Sequence, residues 1–183
     1  MQTATIDRTK NWSVEDYLLL GEIKTPCQLI NSELIMSPAP TPSHQRILRK
    51  LFKIFDQAEL KGEIFFAPID LFIDKINVFQ PDLTYISDLN RNFISKRGIE
   101  GPPDIIVEIL SPSNIFTDRN IKKKTYLEFG VKEYWIVDPG NKTLEIYLGS
   151  NQDVPHLYLA EDGIVTSTVL ANLTFDLKHI FNS

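Results

Sequence analysis

Asp104-Ile-Ile-Val-Glu-Ile-Leu110 has the apolar texture of a central strand covered on both faces, and this segment decides how the chain is read. Glu108 interrupts it. A carboxylate in such a place costs several kcal/mol or loses its charge, unless it is hydrogen-bonded, paired with a cation or bound to a metal. The other reading is a strand end at which Glu108 reaches solvent or an arginine. This strand alone leaves both open.

Upstream, Pro81-Asp82 opens a second strand candidate, Leu83 to Ile86, at a position where a proline's missing N–H costs little. Pro-Asp is also a common turn pair. Beside Glu108, however, Asp82 brings a second carboxylate to an adjacent strand, and the two make an oxygen-rich site suited to a hard cation such as Mg²⁺. Glu63 to Ile73 is a further strand candidate, and Asp88 to Arg97 a polar helical excursion. Before these, Ser43 to Leu60 sets Ile47, Leu48, Leu51, Ile54, Phe55 and Ala58 on one helical stripe. Gln28 to Ile30 and Glu33 to Met36 read as a hairpin around Asn31-Ser32, followed by the Pro-rich turn Ser37 to Pro42. Asn11 to Leu20 reads as a short helix, with Asp16 three residues after Ser13 in an acidic variant of the capping pattern.

Downstream, a second helix is expected from about Asp118, suited to the N-cap, to Phe129, with Gly130 at the C′ position. Lys122, Tyr126 and Phe129 fall at i, i+4 and i+7, on the stripe that faces the sheet, whereas Lys124 and Glu128 form an outward pair. Lys122 therefore points inward, where it can orient an attacking water and stabilise charge developing on a phosphoryl oxygen. Glu133 to Val137 is another strand. Lys142 to Leu148, Leu157 to Ala160 and Ile164 to Leu170 read as an antiparallel extension turning at Pro139-Gly140, Gly149-Ser150 and Asp162-Gly163, and Leu177 to Phe181 as a closing helix. The order helix, three strands, helix, strand predicts an α/β fold around a mixed sheet.

With 183 residues, 43% of them hydrophobic, the chain is expected to form one domain, 1–183, with its own core. Its apolar runs fall far short of the roughly 20 residues of a membrane span, and Met1 to Lys10 lacks the features of a secretory signal. The single cysteine, Cys27, with three scattered histidines, provides neither an internal disulfide nor a Cys/His zinc site, so a cytoplasmic location is expected. A formal charge of -5 argues against a surface that grips phosphate everywhere, though it leaves local basic patches open, and a bound metal would offset nearby carboxylates.

Four segments together resemble the Uma-type restriction endonucleases, a former domain of unknown function in the PD-(D/E)XK nuclease superfamily. They are Pro81-Asp82-Leu83, Val107-Glu-Ile-Leu-Ser-Pro-Ser113, Asp118 with Lys122 and Tyr126 at four-residue steps, and Gly130-Val-Lys-Glu-Tyr-Trp-Ile-Val-Asp-Pro139. The resemblance implies a restriction-endonuclease-like core in which Asp82, Glu108 and the Ile109 carbonyl ligate Mg²⁺, with Mn²⁺ as a substitute. The superfamily's usual lysine would stand at position 110, where this chain has Leu110; in the Uma-type pattern it moves to the following helix, at Lys122. His44 and Tyr126 are implied as supporting groups. Glu33, retained from the family's Asp-Gly-Glu hairpin, is either an outer ligand or a hairpin residue, and Lys123 and Lys124 either touch the DNA backbone or are solvated. Tyr134, Trp135 and Asp138 read as structural.

The resemblance implies a Mg²⁺-dependent endonuclease acting on DNA, working as a homodimer where both strands are cut. The alternative is a catalytically silent nuclease fold that binds DNA or a protein, favoured by Leu110 and the acidic net charge. A hydrolase of another kind ranks last, because the chain has no Ser or Cys nucleophile motif and no phosphate-cradling glycine loop.

Overall fold

The computed structural model describes residues 10–21, 26–58, 61–149 and 151–182. Ser13 caps the first helix, α1 (Val14–Leu19): its hydroxyl accepts from the Asp16 N–H while the Asp16 carboxylate accepts from the Ser13 N–H, the reciprocal pattern expected. Strands β1 (Cys27–Ile30) and β2 (Glu33–Met36) form the expected hairpin, turning through Asn31 and Ser32 at φ 49° and 65°, as a two-residue primed turn requires. Thr41 caps α2 (Pro42–Gln57), which has proline in its first turn and buries Ile47, Leu51 and Phe55. The last two positions of the expected helix lie outside the described residues, as does Ser150 of an expected turn.

The expected strand from Glu63 to Ile73 is in fact two strands in different sheets, β3 (Gly62–Phe66) and β4 (Leu71–Asp74). Pro68 falls between them and cannot donate to a ladder, so one run of apolar residues serves two sheets. After β4 come β5 (Asn77–Phe79), too short to show a period in the sequence, and β6 (Leu83–Ser87). The helical excursion shrinks to a 3₁₀ segment, Asp88–Phe93. Strand β7 (Ile105–Ile109) then leads to a helix beginning at position 115, which widens into a π-helical stretch over Thr117–Lys122 and continues as α3 (Lys123–Phe129). Asp118 is therefore not the N-cap but lies a turn inside the helix. Gly130, at φ 108°, ends it as expected.

β8 (Glu133–Asp138), β9 (Thr143–Leu148) and β10 (Leu157–Ala160) complete a six-stranded sheet ordered β10-β9-β8-β7-β6-β3. β7 and β8 run parallel, joined by the helix, and all other neighbours are antiparallel, so the sheet is mixed. A four-stranded antiparallel sheet ordered β2-β1-β5-β4 lies apart. The expected strand Ile164 to Leu170 ends early as β11 (Ile164–Thr166), pairs with β12 (Thr174–Asp176) in a separate ribbon, and is followed by α4 (Lys178–Phe181). Buried Glu133 ties this C-terminal part to the sheet, accepting from Trp135 Nε1 at 2.9 Å, Ser167 Oγ at 2.9 Å and Thr168 Oγ1 at 2.7 Å.

The period of two along the strands divides the core. On one face Leu83, Tyr85, Ile105, Val107, Trp135 and Val137 pack with Ile47, Leu51 and Phe55 of α2. On the other, Ile86, Ile106, Leu110, Tyr134 and Ile136 pack with Tyr126 and Leu127 of α3 and with Leu71 and Phe79 of the smaller sheet. All five residues of β7 are buried, which confirms it as the central strand. Among the described residues no helix is long and apolar enough to cross a membrane.

Candidate active site

Leu83 faces Val107 across the antiparallel β6/β7 pair, so Asp82 and Glu108 stand one step further along, where the two strands meet the end of the sheet. The Asp82 Oδ2 accepts from the Ile109 N–H at 2.7 Å, which fixes the carboxylate against β7. Glu108 shares the face of Ile106 and so turns toward the helix. There its Oε1 accepts from Lys122 Nζ at 2.8 Å and from the Tyr126 hydroxyl at 2.8 Å, with all three side chains buried. The inward stripe read from the sequence thus delivers Lys122 and Tyr126 to one carboxylate.

Asp118 is the functional candidate the sequence reading passed over. It is 2% exposed, and its Oδ1 lies 3.4 Å from Lys122 Nζ without hydrogen-bond geometry, leaving that oxygen buried and without a hydrogen bond among the described residues. Its backbone carbonyl accepts from the buried Tyr134 hydroxyl at 2.9 Å, so an outside donor enters the helix where the π-helical stretch disturbs the usual ladder. Tyr134 is therefore structural, as expected, but it supports the site directly. The four-residue steps from Asp118 to Lys122 to Tyr126 were visible in the sequence. The widened turn that carries Asp118 inward was not, because an aspartate ahead of an amphipathic run more commonly caps a helix.

At the start of α2 the Thr41 hydroxyl accepts from the His44 N–H at 3.2 Å. The imidazole then places Nε2 2.9 Å from Asp82 Oδ2 and leaves Nδ1 buried without a partner among the described residues. If Nε2 carries the proton, Nδ1 is an available base; the tautomer is assigned from this arrangement.

Burial pushes the Glu108 carboxyl up to about 8; Lys122 pulls the other way, and Asp118 and Asp82 add to the rise. The Asp118 carboxyl is raised by its own burial and by Asp82, against the pull of Lys122. Burial works to lower the Lys122 ammonium, but Glu108 and Asp118 prevail, and it is held cationic well above the ordinary lysine range. Burial, then Glu108, raises the Tyr126 hydroxyl, which stays a donor. Three carboxylates around one ammonium leave the site short of positive charge.

His44, Asp82, Glu108, Asp118 and Lys122 line a cavity of about 870 Å³. One wall is proline-rich, with Pro38, Pro40, Pro68 and Pro112. Another is the turn after β8, where Asp138 Oδ1 accepts from the Gly140 and Asn141 N–H groups at 2.9 and 3.1 Å. Glu33 is exposed on the hairpin, opposite Ile30, and does not line the cavity. Lys123 lies over the Tyr147 ring at 4.4 Å and Lys124 stands exposed, 3.9 Å from Glu128; neither lines the cavity.

A mixed sheet flanked by α2 and α3, with the acidic residues of two adjoining strands and the following helix gathered at its edge, is the restriction-endonuclease-like fold. The chain belongs to the Uma2 family, described as "Putative restriction endonuclease", whose model matches residues 14–178. A solved structure from Anabaena variabilis, described as a putative nuclease belonging to DUF820, superposes with a TM-score of 0.76 over 93% of this chain and 97% of that one. At 18% identity that likeness establishes the fold. No curated protein matches the sequence.

Proposed function

We propose that the chain is a metal-dependent endonuclease that hydrolyses phosphodiester bonds in DNA. The observation that carries this reading is the gathering of Asp82, Glu108 and Asp118 around Lys122 on the floor of a cavity, within a family of this description. A buried carboxylate cluster with an unbonded Asp118 oxygen and too little positive charge is a place where a hard cation is favourable. Among the described residues no three acidic, imidazole or thiolate groups stand already grouped to hold a metal. Lys122 occupies the space between Glu108 and Asp118 instead, so loading requires the ammonium to shift. The donor chemistry fits Mg²⁺, or Mn²⁺ in its place, with Asp82, Glu108 and Asp118 as carboxylate ligands and the Ile109 carbonyl as the further ligand the family resemblance implies.

Bound there, the ion would supply Lewis-acid stabilisation and a more acidic water. The protein's own groups do the rest. Lys122 places its ammonium against charge developing on a phosphoryl oxygen. His44, held by Asp82, offers Nδ1 to take up or relay a proton. Tyr126 fixes the Glu108 carboxylate by donating to Oε1. The same reading places the enzyme in the cytoplasm and admits a homodimer for cutting two strands.

A second reading, the catalytically silent scaffold, is favoured by Lys122 already neutralising Glu108 at 2.8 Å. Incubating supercoiled plasmid and a matching RNA with the purified protein in Mg²⁺, in Mn²⁺ and in EDTA separates the two. Metal-dependent nicking of the plasmid is expected; intact plasmid in every metal would favour the scaffold, and cleavage of RNA alone would overturn the DNA assignment.

A further inference from the structure

A nuclease must hold a polyanion, yet Lys122 is the one lysine or arginine among the described residues lining the cavity, and it is already paired with Glu108. Affinity for the phosphate backbone must therefore come from outside the cavity. The two lysines closest along the chain, Lys123 and Lys124, are turned to Tyr147 and toward Glu128.

Arg119 is held by Asp138 and Glu145, which leaves α2 as an alternative at the cavity rim. In a chain of formal charge -5, this helix carries Arg46, Arg49, Lys50 and Lys53 against a single acid, Asp56. At 3.6 residues per turn, Gln45, Arg49 and Lys53 succeed one another up one flank, with Arg46 and Lys50 beside them, opposite the buried face of Ile47, Leu51 and Phe55. Gln45 lines the cavity, so the flank begins at its rim and runs on for about 12 Å. Arg46, Arg49 and Lys53 are exposed and make no ion pair or side-chain hydrogen bond among the described residues, whereas Lys50 donates to the Asn182 carbonyl. The same helix presents His44 to Asp82, so a strand lying along the flank is led to the carboxylates.

We infer that the outer flank of α2, through Arg46, Arg49 and Lys53, is the surface that grips the sugar-phosphate backbone of the substrate strand on its way into the cavity. The inference rests on the nuclease reading above. Sequence-independent phosphate contacts of this kind weaken with salt, each adding about 0.9 to the slope of log affinity against log salt on duplex DNA.

The test is fluorescence anisotropy of a labelled DNA duplex in EDTA, where no cleavage occurs, across a salt series. Arg46→Ala, Arg49→Ala and Lys53→Ala are each expected to weaken binding several-fold and to reduce the slope by about 0.9. The combined Arg46→Glu, Arg49→Glu, Lys53→Glu variant should bind at least 100-fold more weakly, with an unchanged thermal midpoint, while Lys75→Glu, at an exposed position between β4 and β5, should bind within about twofold of wild type. If the triple variant binds like the wild type while the wild type still nicks plasmid, the surface is wrong and the nuclease reading stands. An equal loss in Lys75→Glu would reduce the effect to net charge and overturn the assignment. If the wild type binds neither duplex nor single strand, or binds only phosphatidylserine vesicles, the inference is overturned, and absent nicking would show that the nuclease reading has failed with it.

Discussion

Replacing Lys122 with methionine keeps most of the side chain's volume and removes its charge from between Glu108 Oε1, 2.8 Å away, and Asp118 Oδ1, 3.4 Å away. At an effective dielectric of about 20, a unit-charge contact at the shorter distance is worth about 6 kcal/mol, much of it spent in keeping the ammonium out of water. The larger effect is the carboxylates left behind, because removing one partner of a buried pair costs about 3–5 kcal/mol. That cost depends on ionisation. Near pH 5.5 Glu108, already pushed up to about 8 with the lysine present, is protonated in both proteins, and the loss should shrink to about 1 kcal/mol. Near pH 8.5, about half a unit above that value, ionisation of Glu108 in the wild type should add at most about 0.8 kcal/mol to the loss, about 2–3 °C in thermal midpoint for a chain of this length, and the loss should keep growing as pH climbs further. Urea unfolding of both proteins at the two pH values measures the difference. An equal loss at both would mean that Lys122 matters through packing, and the electrostatic argument would be refuted.

Other outcomes follow from the same cluster. Because the Glu108 carboxyl titrates at about 8 when folded and near 4.5 when unfolded, the folded state holds the extra proton between those values. Stability of the metal-free protein should therefore fall as pH rises from about 4.5 to about 8 and then level off; Glu108→Gln should flatten that dependence in denaturant titrations, and Mg²⁺ should offset it in the wild type. Asp118→Asn relieves repulsion while removing a proposed ligand, so it should stabilise the metal-free protein by about 1 kcal/mol at pH 8 yet weaken Mn²⁺ binding at least about 10-fold by calorimetry. A variant weakened in both respects would show Asp118 to be structural only. Tyr126→Phe removes a buried donor to Glu108 and should cost about 1.5–3 kcal/mol of stability in chemical unfolding.

How much of this was legible in the sequence depended on periodicity. The β7 segment announced itself by being apolar at every position but Glu108, and the α2 stripe and the inward Lys122 followed from 3.6-residue spacing. What escaped were features set by tertiary packing. The run around Pro68 serves two sheets, which no local pattern distinguishes from one long strand. β12 is three residues long and gains its partner, β11, only through the fold. Asp118 was assigned to a cap because its inward direction depends on the π-helical stretch, and the exposed cations of α2 could not be told from a solvated face until the one lysine among the described residues lining the cavity, Lys122, was seen to be paired with Glu108.

The account turns on whether the buried carboxylates and Lys122 are a hydrolytic centre, and plasmid nicking by wild type beside Asp82→Ala, Glu108→Ala and Lys122→Ala, all prepared identically with folding checked by melting, tests that most directly. The account predicts nicking by the wild type in Mg²⁺ or Mn²⁺ and its loss in all three folded variants. Equal nicking by wild type and Glu108→Ala would contradict it.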